Sequence, residues 1–310
     1  MINPSRRSFI GGVAAVAGAA NLPAVEASEP AGSAPKTLPT VAFGKTSITR
    51  LILGGNPIDG YSHSVPKISD LMREYFTVQR TTDLILRAEE EGITTFESHY
   101  SEKVRAALTA ARERGSKMQW ICLTHAGEDA VLKNVLSLKP IGIAHHGNRT
   151  DNYFQAGKPE IVHDYVKKVH DLGIFAGVST HCPQHLARID DSGWENDFYM
   201  TCLYYLTRTP QELKFIYGDG LAGSDEPFVK TDPERMTRRI REVKKPCLAF
   251  KLLGAGRNCN TPQAVEEAFQ FAYANIKPID AAIVGMYPVL MDEVRVNADL
   301  ARKYSLFVNA

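Results

Sequence analysis

The chain repeats one pattern eight times: a short apolar run followed by an amphipathic stretch. The apolar runs predict strands at 50–53, 94–97, 119–124, 141–145, 175–180, 198–204, 247–251 and 281–285. The amphipathic stretches predict helices at 80–91, 102–114, 130–138, 159–172, 183–189, 233–243, 262–276 and 291–304. Such alternation predicts parallel strands with right-handed crossovers, and eight units favour a closed (β/α)₈ TIM barrel. An open doubly wound sheet is the alternative, but no GxGxxG motif follows the first strand.

Composition narrows the function classes. The 36 basic and 35 acidic residues leave a net charge of +1, which argues against a nucleic-acid binder because such proteins carry a basic excess or stripe. No run of 18 apolar residues is present, so we expect no membrane span in the mature chain. The five cysteines form no CxxC pair, which excludes a zinc-ribbon or thioredoxin motif.

The amino terminus carries a targeting pattern. Arg6 and Arg7 precede an Ala/Gly-rich run at 11–20, and 25–27 supply a small-residue cleavage site; this order resembles a bacterial twin-arginine signal. The alternative is a short Ala-rich helix. The predicted domains are a signal at 1–27, a Pro/Ala/Ser linker at 28–39 and a single barrel at 40–310. The signal predicts the twin-arginine export machinery as a partner and a periplasmic or exported protein, where Cys182 and Cys202 could pair.

Histidines gather where the predicted strands end. Five of the nine histidines lie there, with Glu97 beside them: His99, His125, His145, His146 and His181. The carboxyl ends of all barrel strands meet at one open end of the barrel, which is called the mouth here. Histidines together with a carboxylate are typical of Zn, Mn or Fe sites. We therefore expect a divalent metal on His145, His146 and His181. Acid/base chemistry without metal and a structural role are the alternatives. Adjacent strand residues point in opposite directions, so one of His145 and His146 should face the lumen.

A lysine and a small-residue loop follow the seventh predicted strand. A buried lysine is costly unless paired, so Lys251 is predicted to bind substrate, with a Schiff-base role or pairing with Glu97 as alternatives. Gly254, Gly256 and Arg257 resemble the loops that hold phosphate near strands 7 and 8 of barrels, which makes them candidate cofactor ligands. Two long connections, 55–79 and 205–231, carry aromatic residues and are expected to wall a pocket for a small, sugar-like substrate.

Several segments resemble the aldo/keto reductases. They are Phe-Gly-Lys-Thr at 43–46, Ile-Thr-Arg-Leu-Ile-Leu-Gly-Gly at 48–55, Gly-Ile-Thr-Thr-Phe-Glu at 92–97, Gly-Ile-Phe-Ala-Gly-Val-Ser at 173–179, and Ile-Val-Gly-Met at 283–286 continuing to Asn297. The resemblance covers most of 40–305. It implies an eight-stranded barrel that binds NADP, with a catalytic Asp, Tyr, Lys and His at the ends of strands 2, 3 and 4. Carried over by position, these roles fall on Glu97, Tyr100, His125 and either His145 or His146.

The sequence departs from that family at the catalytic and cofactor-binding positions. Position 125 holds a histidine where the family has a lysine. In the family, that lysine lowers the pKa of the tyrosine so that the tyrosine can donate a proton. Between Gly285 and Asn297 the only basic residue is Arg295, beside Asp292 and Glu293, where the family often places basic residues for the cofactor phosphate.

Three hypotheses about function follow. The first is an exported enzyme with metal-assisted acid/base chemistry, a lyase, isomerase or hydrolase acting on a small sugar-like or carbonyl substrate. In that enzyme Glu97 or a histidine such as His146 would move the proton. The second is an NADP-dependent oxidoreductase with Tyr100 as acid and His125 in the place of the lysine. The third is a non-catalytic exported barrel that binds sugar.

Overall fold

Eight parallel strands close into a barrel, and an antiparallel pair of strands precedes them. The computed structural model describes residues 36–204, 207–208, 210–217 and 229–306. The predicted signal at 1–27 and the first part of the linker, 28–35, lie outside these residues. The strands are β1 Thr40–Phe43, β2 Thr46–Thr49, β3 Leu51–Gly54, β4 Thr95–His99, β5 Gln119–Thr124, β6 Gly142–His145, β7 Phe175–Thr180, β8 Phe198–Cys202, β9 Cys247–Phe250 and β10 Ala281–Gly285. The barrel order is β10-β3-β4-β5-β6-β7-β8-β9.

Helices surround the barrel, and the eight predicted ones lie where they were expected. The helices are α1 Pro66–Tyr75, α2 Val78–Glu90, α3 Glu102–Glu113, α4 Asp129–Ser137, α5 Gly147–Gln155, α6 Pro159–Asp171, α7 Pro183–Asp191, α8 Pro210–Tyr217, α9 Asp232–Glu242, α10 Pro262–Asn275 and α11 Glu293–Tyr304. Three of them, α1, α5 and α8, were not predicted. Within the described ranges, no helix combines the length and apolar character needed to cross a membrane.

The hairpin of β1 and β2 closes the amino-terminal end of the barrel. Val41, Phe43 and Ile48 pack into the lumen, where the ring of Phe43 lies 4.7 Å from that of Phe175 and 4.9 Å from that of Phe198. Gly44 has φ of 58°, a left-handed conformation that permits a two-residue turn. The lumen therefore opens toward the carboxyl ends of the strands.

The end of the predicted linker packs against the barrel. Leu38 is buried, and Lys36 Nζ donates a hydrogen bond of 2.7 Å to Glu91 Oε1, at the end of α2. Residues 36–39, which the sequence assigned to the linker, therefore belong to the folded body.

The cysteines do not form the disulfide that the sequence allowed. All five are free thiols, including Cys182 and Cys202. The Cys202 sulfur lies 2.7 Å from the carbonyl oxygen of Tyr204.

Alternation along each strand separates an outer layer, which contacts the helices, from the lumen. Trp120 belongs to the outer layer, and its Nε1 donates a hydrogen bond of 3.0 Å to Ser98 Oγ. The second tryptophan, Trp194, stacks on His163 at 4.6 Å, and its carbonyl accepts a hydrogen bond from Lys245, just before β9 begins. Both tryptophans therefore lie away from the open mouth.

Candidate functional site

Glu97 and His99 project from β4 toward the open end of the lumen. Phe96 and Ser98 contact the outer layer, so the residues that alternate with them point inward. Glu97 is 6% exposed, and its Oε1 has no hydrogen-bond partner among the described residues. Burial alone raises the pKa of Glu97 to about 8, so the carboxyl is protonated at neutral pH. Burial also lowers the pKa of His99, which favours neutral imidazole.

The two neighbouring histidines at the end of β6, His145 and His146, face opposite ways. His145 is fully buried in the outer layer, where its Nδ1 lies 2.8 Å from Thr150 Oγ1 and its ring lies against Tyr165. His146 begins α5 and faces the mouth, with its ring 4.8 Å from that of His99. Burial lowers the pKa of His146 to about 3, with His99 adding to the effect. His146 is therefore the one in the site, and it is neutral at pH 7.

A buried carboxylate orients His181 at the end of β7. Asp151, on α5, is 1% exposed and accepts hydrogen bonds from the backbone NH of His181 at 2.9 Å and from its Nδ1 at 3.0 Å. Because the carboxylate only accepts, Nδ1 carries the proton and Nε2 keeps a lone pair. A methyl group on Gly147 would lie 2.6 Å from His181 Cε1, so a glycine there leaves room for this ring.

Three further groups donate to Asp151. Thr180 Oγ1 lies at 2.5 Å, Thr207 Oγ1 at 3.0 Å and His185 Nδ1 at 2.8 Å. Hydrogen bonds to the two histidines hold the pKa of Asp151 below its usual range against the opposing effect of burial. The pKa of His185 rises to about 9: burial opposes this shift, but the bond to Asp151 outweighs it. Asp151 is therefore an ionised group that fixes His181 in place.

Lys251 follows β9 and reaches the same mouth. Its Nζ lies 3.3 Å from His63 Nε2, so His63, in the first long connection, contributes to the site. Burial, with Lys251 and Arg257 adding to it, lowers the pKa of His63 to about 3. Within the described residues, Glu97 forms no ion pair with Lys251, so the structure does not show the alternative Lys251–Glu97 pair.

The predicted metal ligands do not converge. His145 points to the helices, whereas His146 and His181 point to the mouth. Across the described ranges, no group of three or more His, Cys, Asp or Glu side chains is arranged to hold a metal ion. Adjacent residues of a strand point to opposite faces, so His145 and His146 cannot both bind one metal ion in the lumen.

Two predicted catalytic residues are engaged by neighbouring groups close to them along the chain. The hydroxyl of Tyr100 donates a hydrogen bond of 2.5 Å to Glu102 at the start of α3, and burial together with Glu102 raises its pKa, which makes it a weaker acid. Both ring nitrogens of His125 face oxygens of its own loop: Nδ1 lies 2.9 Å from Ala126 O, and Nε2 lies 3.1 Å from Glu128 Oε1. The substitution of His125 for the family's lysine is therefore not supported.

The loop after β9, which the sequence offers as a phosphate site, is folded on itself. The backbone NH groups of Gly254, Gly256 and Arg257 donate to carbonyls within the same turn. Arg257 Nε also donates to Gly254 O, at 2.8 Å. These donors are already used within the loop, which leaves fewer of them for a phosphate than the phosphate-binding loops of other barrels offer.

Carboxylates occupy the amino-terminal end of α11, the other expected phosphate position. Asp292 caps the helix by accepting from the NH of Arg295 at 3.1 Å, and it pairs with Arg87 at 2.7 Å. Glu293 accepts from the NH of Tyr287 at 2.7 Å. Because negative charge already satisfies this helix end, the residues present do not fit the phosphate of NADP.

The comparisons with known proteins concern the fold. No family model and no curated protein matches the sequence. Among solved structures, a protein proposed to be 2,5-diketo-D-gluconic acid reductase B is 9% identical, with 88% of each chain covered and a TM-score of 0.51. A glycerol dehydrogenase from Gluconobacter oxydans is 12% identical over 87% of this chain and 97% of its own, with a TM-score of 0.49. An aldo-keto reductase from Bacillus halodurans is 11% identical over 88% and 93%, with a TM-score of 0.49.

The fold is thus an aldo/keto-reductase-like (β/α)₈ barrel, as the sequence segments implied. At 9% identity the similarity describes the backbone and leaves the chemistry to this chain's own residues. Asp151 and His63 were not among the site residues predicted from the sequence. The signal for Asp151 was its place on α5, the helix that follows the His145-His146 pair.

Proposed function

We propose that this protein is an enzyme that transfers protons on a small carbonyl or polyhydroxy compound bound in the barrel mouth. The observation that carries the proposal is the buried Asp151–His181 pair, which holds an imidazole Nε2 at the end of β7. A histidine oriented by a carboxylate is the usual arrangement of a general base.

His181 supplies the base. Burial lowers its pKa, although Asp151 opposes the shift, so the ring is neutral and able to accept a proton at pH 7. Its position is fixed by the two bonds to Asp151 and by the edge of the Phe250 ring, with the ring centres 5.5 Å apart. A base held in one orientation needs little reorganisation when it removes a proton from a bound substrate.

Glu97 supplies the acid. Its carboxyl is neutral up to about pH 8 because of burial, and its Oε1 lacks a partner within the described chain. A protonated carboxyl in an apolar site can donate to a carbonyl oxygen as negative charge develops there. With His181 removing a proton from the adjacent carbon, the product is an enol or enediol, which is an intermediate of isomerisation and elimination.

Proton exchange tests this proposal without knowledge of the natural substrate. Dihydroxyacetone, glyceraldehyde and glucose are incubated with the protein in D₂O, and loss of the hydrogen next to the carbonyl is followed by NMR. We expect exchange that falls by about 10²–10⁴-fold in His181→Ala. His170→Ala is the matched control, because His170 is an exposed residue of α6. Equal rates in wild type and His181→Ala would contradict the proposal.

The second candidate is a nicotinamide-dependent oxidoreductase. The barrel shared with a protein proposed to be a reductase favours it, and the self-bonded loop after β9 and the carboxylates of α11 disfavour it. Calorimetric titration with NADPH separates the two. Saturable binding would support the oxidoreductase, whereas absence of binding at millimolar NADPH would leave the proton-transfer enzyme.

Export by the twin-arginine route belongs to the same proposal, on the strength of the sequence pattern at 5–27. Replacing Arg6 and Arg7 by lysine should retain the protein in the cytoplasm of a bacterial host, whereas the wild type should reach the periplasm. Fractionation and sequencing of the mature amino terminus measure both. Equal distribution of the two forms would overturn the export proposal.

A further inference from the structure

Lys251 has an unusual backbone. It is the first residue after β9, and its φ is 61°, a left-handed conformation that is uncommon for a residue with a side chain. Such strain persists where the surrounding structure enforces it, and it is concentrated at functional sites. Here the strained residue stands at the open end of the barrel, on the same side as His181.

Among the described residues, no negatively charged group faces the Lys251 amine. The groups that face it are His63, His181, Cys202 and Arg257. The two histidines are neutral at pH 7, and burial raises the pKa of the Cys202 thiol to about 12. In the described parts of the chain, no carboxylate lies within ion-pair distance of Lys251. Burial, with Arg257 adding to it, lowers the pKa of Lys251, which raises the fraction of free amine.

Lys245 shows what is specific to Lys251. The two lysines flank the same strand, at opposite ends of the barrel, and burial lowers the pKa of both. The amine of Lys245 donates to Trp194 O at 2.6 Å and lies 3.3 Å from Asn196 Oδ1. Lys251 instead lies 3.3 Å from His63 Nε2 at the carboxyl end of the barrel, on the side where the substrate is proposed to bind.

We infer that Lys251 is a nucleophile that forms an imine with the carbonyl carbon of a small aldehyde or ketone substrate. This inference rests on the proposed function in that both place a carbonyl compound in the same mouth. The Lys251 nitrogen forms a bond to the carbonyl carbon, and the carbonyl oxygen takes a proton. The nitrogen then loses its protons, the hydroxyl leaves as water, and a C=N bond remains. His181, beside Lys251, can accept a proton from nitrogen and return it to the leaving hydroxyl. No oxidant or reductant is consumed.

Reductive trapping tests the inference on the full-length protein. The protein is incubated at pH 7 with glyceraldehyde or dihydroxyacetone and sodium cyanoborohydride, which reduces the C=N bond to a stable secondary amine, and the modified lysines are located by peptide mass spectrometry. A lowered pKa raises the free-amine fraction of Lys251 relative to that of the surface lysines. The pKa of Lys245 is also lowered, but its amine is held by Trp194 O and Asn196 Oδ1. We therefore expect modification of Lys251 to be several-fold faster than that of the surface lysines and of Lys245. Modification of Lys251 no faster than that of Lys245 would overturn the inference.

Two variants separate this inference from the proposed function. Lys251→Met should abolish trapping at this peptide, with thermal unfolding confirming that the variant is folded. If Lys251→Met keeps the exchange rate of the wild type, imine formation is not part of the reaction and the inference fails, while the acid/base proposal stands. If Lys251 is trapped but His181→Ala exchanges as fast as wild type, the acid/base proposal fails and the inference stands.

Discussion

The two ends of the barrel bury different kinds of side chain. At the amino-terminal end, the hairpin of β1 and β2 fills the lumen with Val41, Phe43 and Ile48. At the carboxyl end, the mouth holds the titratable groups Glu97, Asp151 and His181, which are buried, and His99 and Lys251, which are half-buried. Apolar burial stabilises the fold, whereas burying ionisable groups costs free energy. The difference shows that one end maintains the barrel and that the other gives up stability for reactive groups.

The largest effect is expected at the closed end. Phe43→Ala removes a fully packed ring that touches Phe175 and Phe198, and we expect a loss of about 3–5 kcal/mol in the free energy of unfolding. Urea denaturation at pH 7 measures it. Phe215→Ala is the control, because Phe215 is 92% exposed and its loss should change stability by less than about 0.5 kcal/mol. A small effect at Phe43 would mean that the hairpin does not close the barrel.

Glu97→Gln should stabilise the protein, and increasingly so as the pH rises. The folded carboxyl keeps its proton up to about pH 8, whereas in the unfolded chain it loses the proton near pH 4.3. Between these values the folded state binds more protons, so wild-type stability falls as pH rises. We expect the advantage of the variant to grow by about 1 kcal/mol per pH unit between pH 5 and 8. Urea titrations across this range measure it, and a constant difference would contradict the buried neutral carboxyl.

Variants of the adjacent residues His145 and His146, at the end of β6, should separate effects on stability from effects on activity. His145→Ala leaves a cavity in the outer layer and removes the partner of Thr150, so we expect a loss of about 2 kcal/mol with proton exchange retained. His146→Ala should cost less than about 1 kcal/mol, because the ring is half-buried at the rim, and should slow exchange. Thermal unfolding and the exchange assay measure both variants. The reverse pattern would show that the faces are assigned the wrong way round.

The smallest effect is expected for Tyr100→Phe. The hydroxyl contacts Glu102 on the surface, so we expect changes below about 0.5 kcal/mol in stability and no measurable change in exchange rate. A strong loss of activity would restore the tyrosine to the role that the aldo/keto reductase resemblance implies.

Much of the fold could be predicted because the alternation of strands and helices is a local signal. β5, β7 and β10 have the predicted bounds, and the others differ by up to two residues at an end. The hairpin was missed because each strand has four residues and the turn has two, Gly44 and Lys45. The sequence signal for the hairpin was the alternation of apolar residues with polar ones at Val41, Phe43 and Ile48.

The candidate site was predicted in part. Strand ends placed Glu97, His146, His181 and Lys251 in one mouth, and the structure brings them there. The Asp151–His181–His185 network could not be read from sequence, because it joins a helix, a strand end and a second helix that are about 30 residues apart along the chain. The choice between His145 and His146 required knowing which residues of β6 face the lumen. Alternation alone gives two possible assignments, and only the position of one strand residue decides between them.

The positions of the two tryptophans determine what an optical experiment on this protein can detect. Trp120 lies in the barrel wall beside Ser98, and Trp194 is stacked on His163 near the closed end. Compounds that enter the mouth should therefore leave the emission spectrum unchanged, whereas unfolding, which exposes both indole rings to water, should shift it. Intrinsic fluorescence therefore reports whether each mouth variant is folded. Ligand affinities are best measured by calorimetry or mass spectrometry.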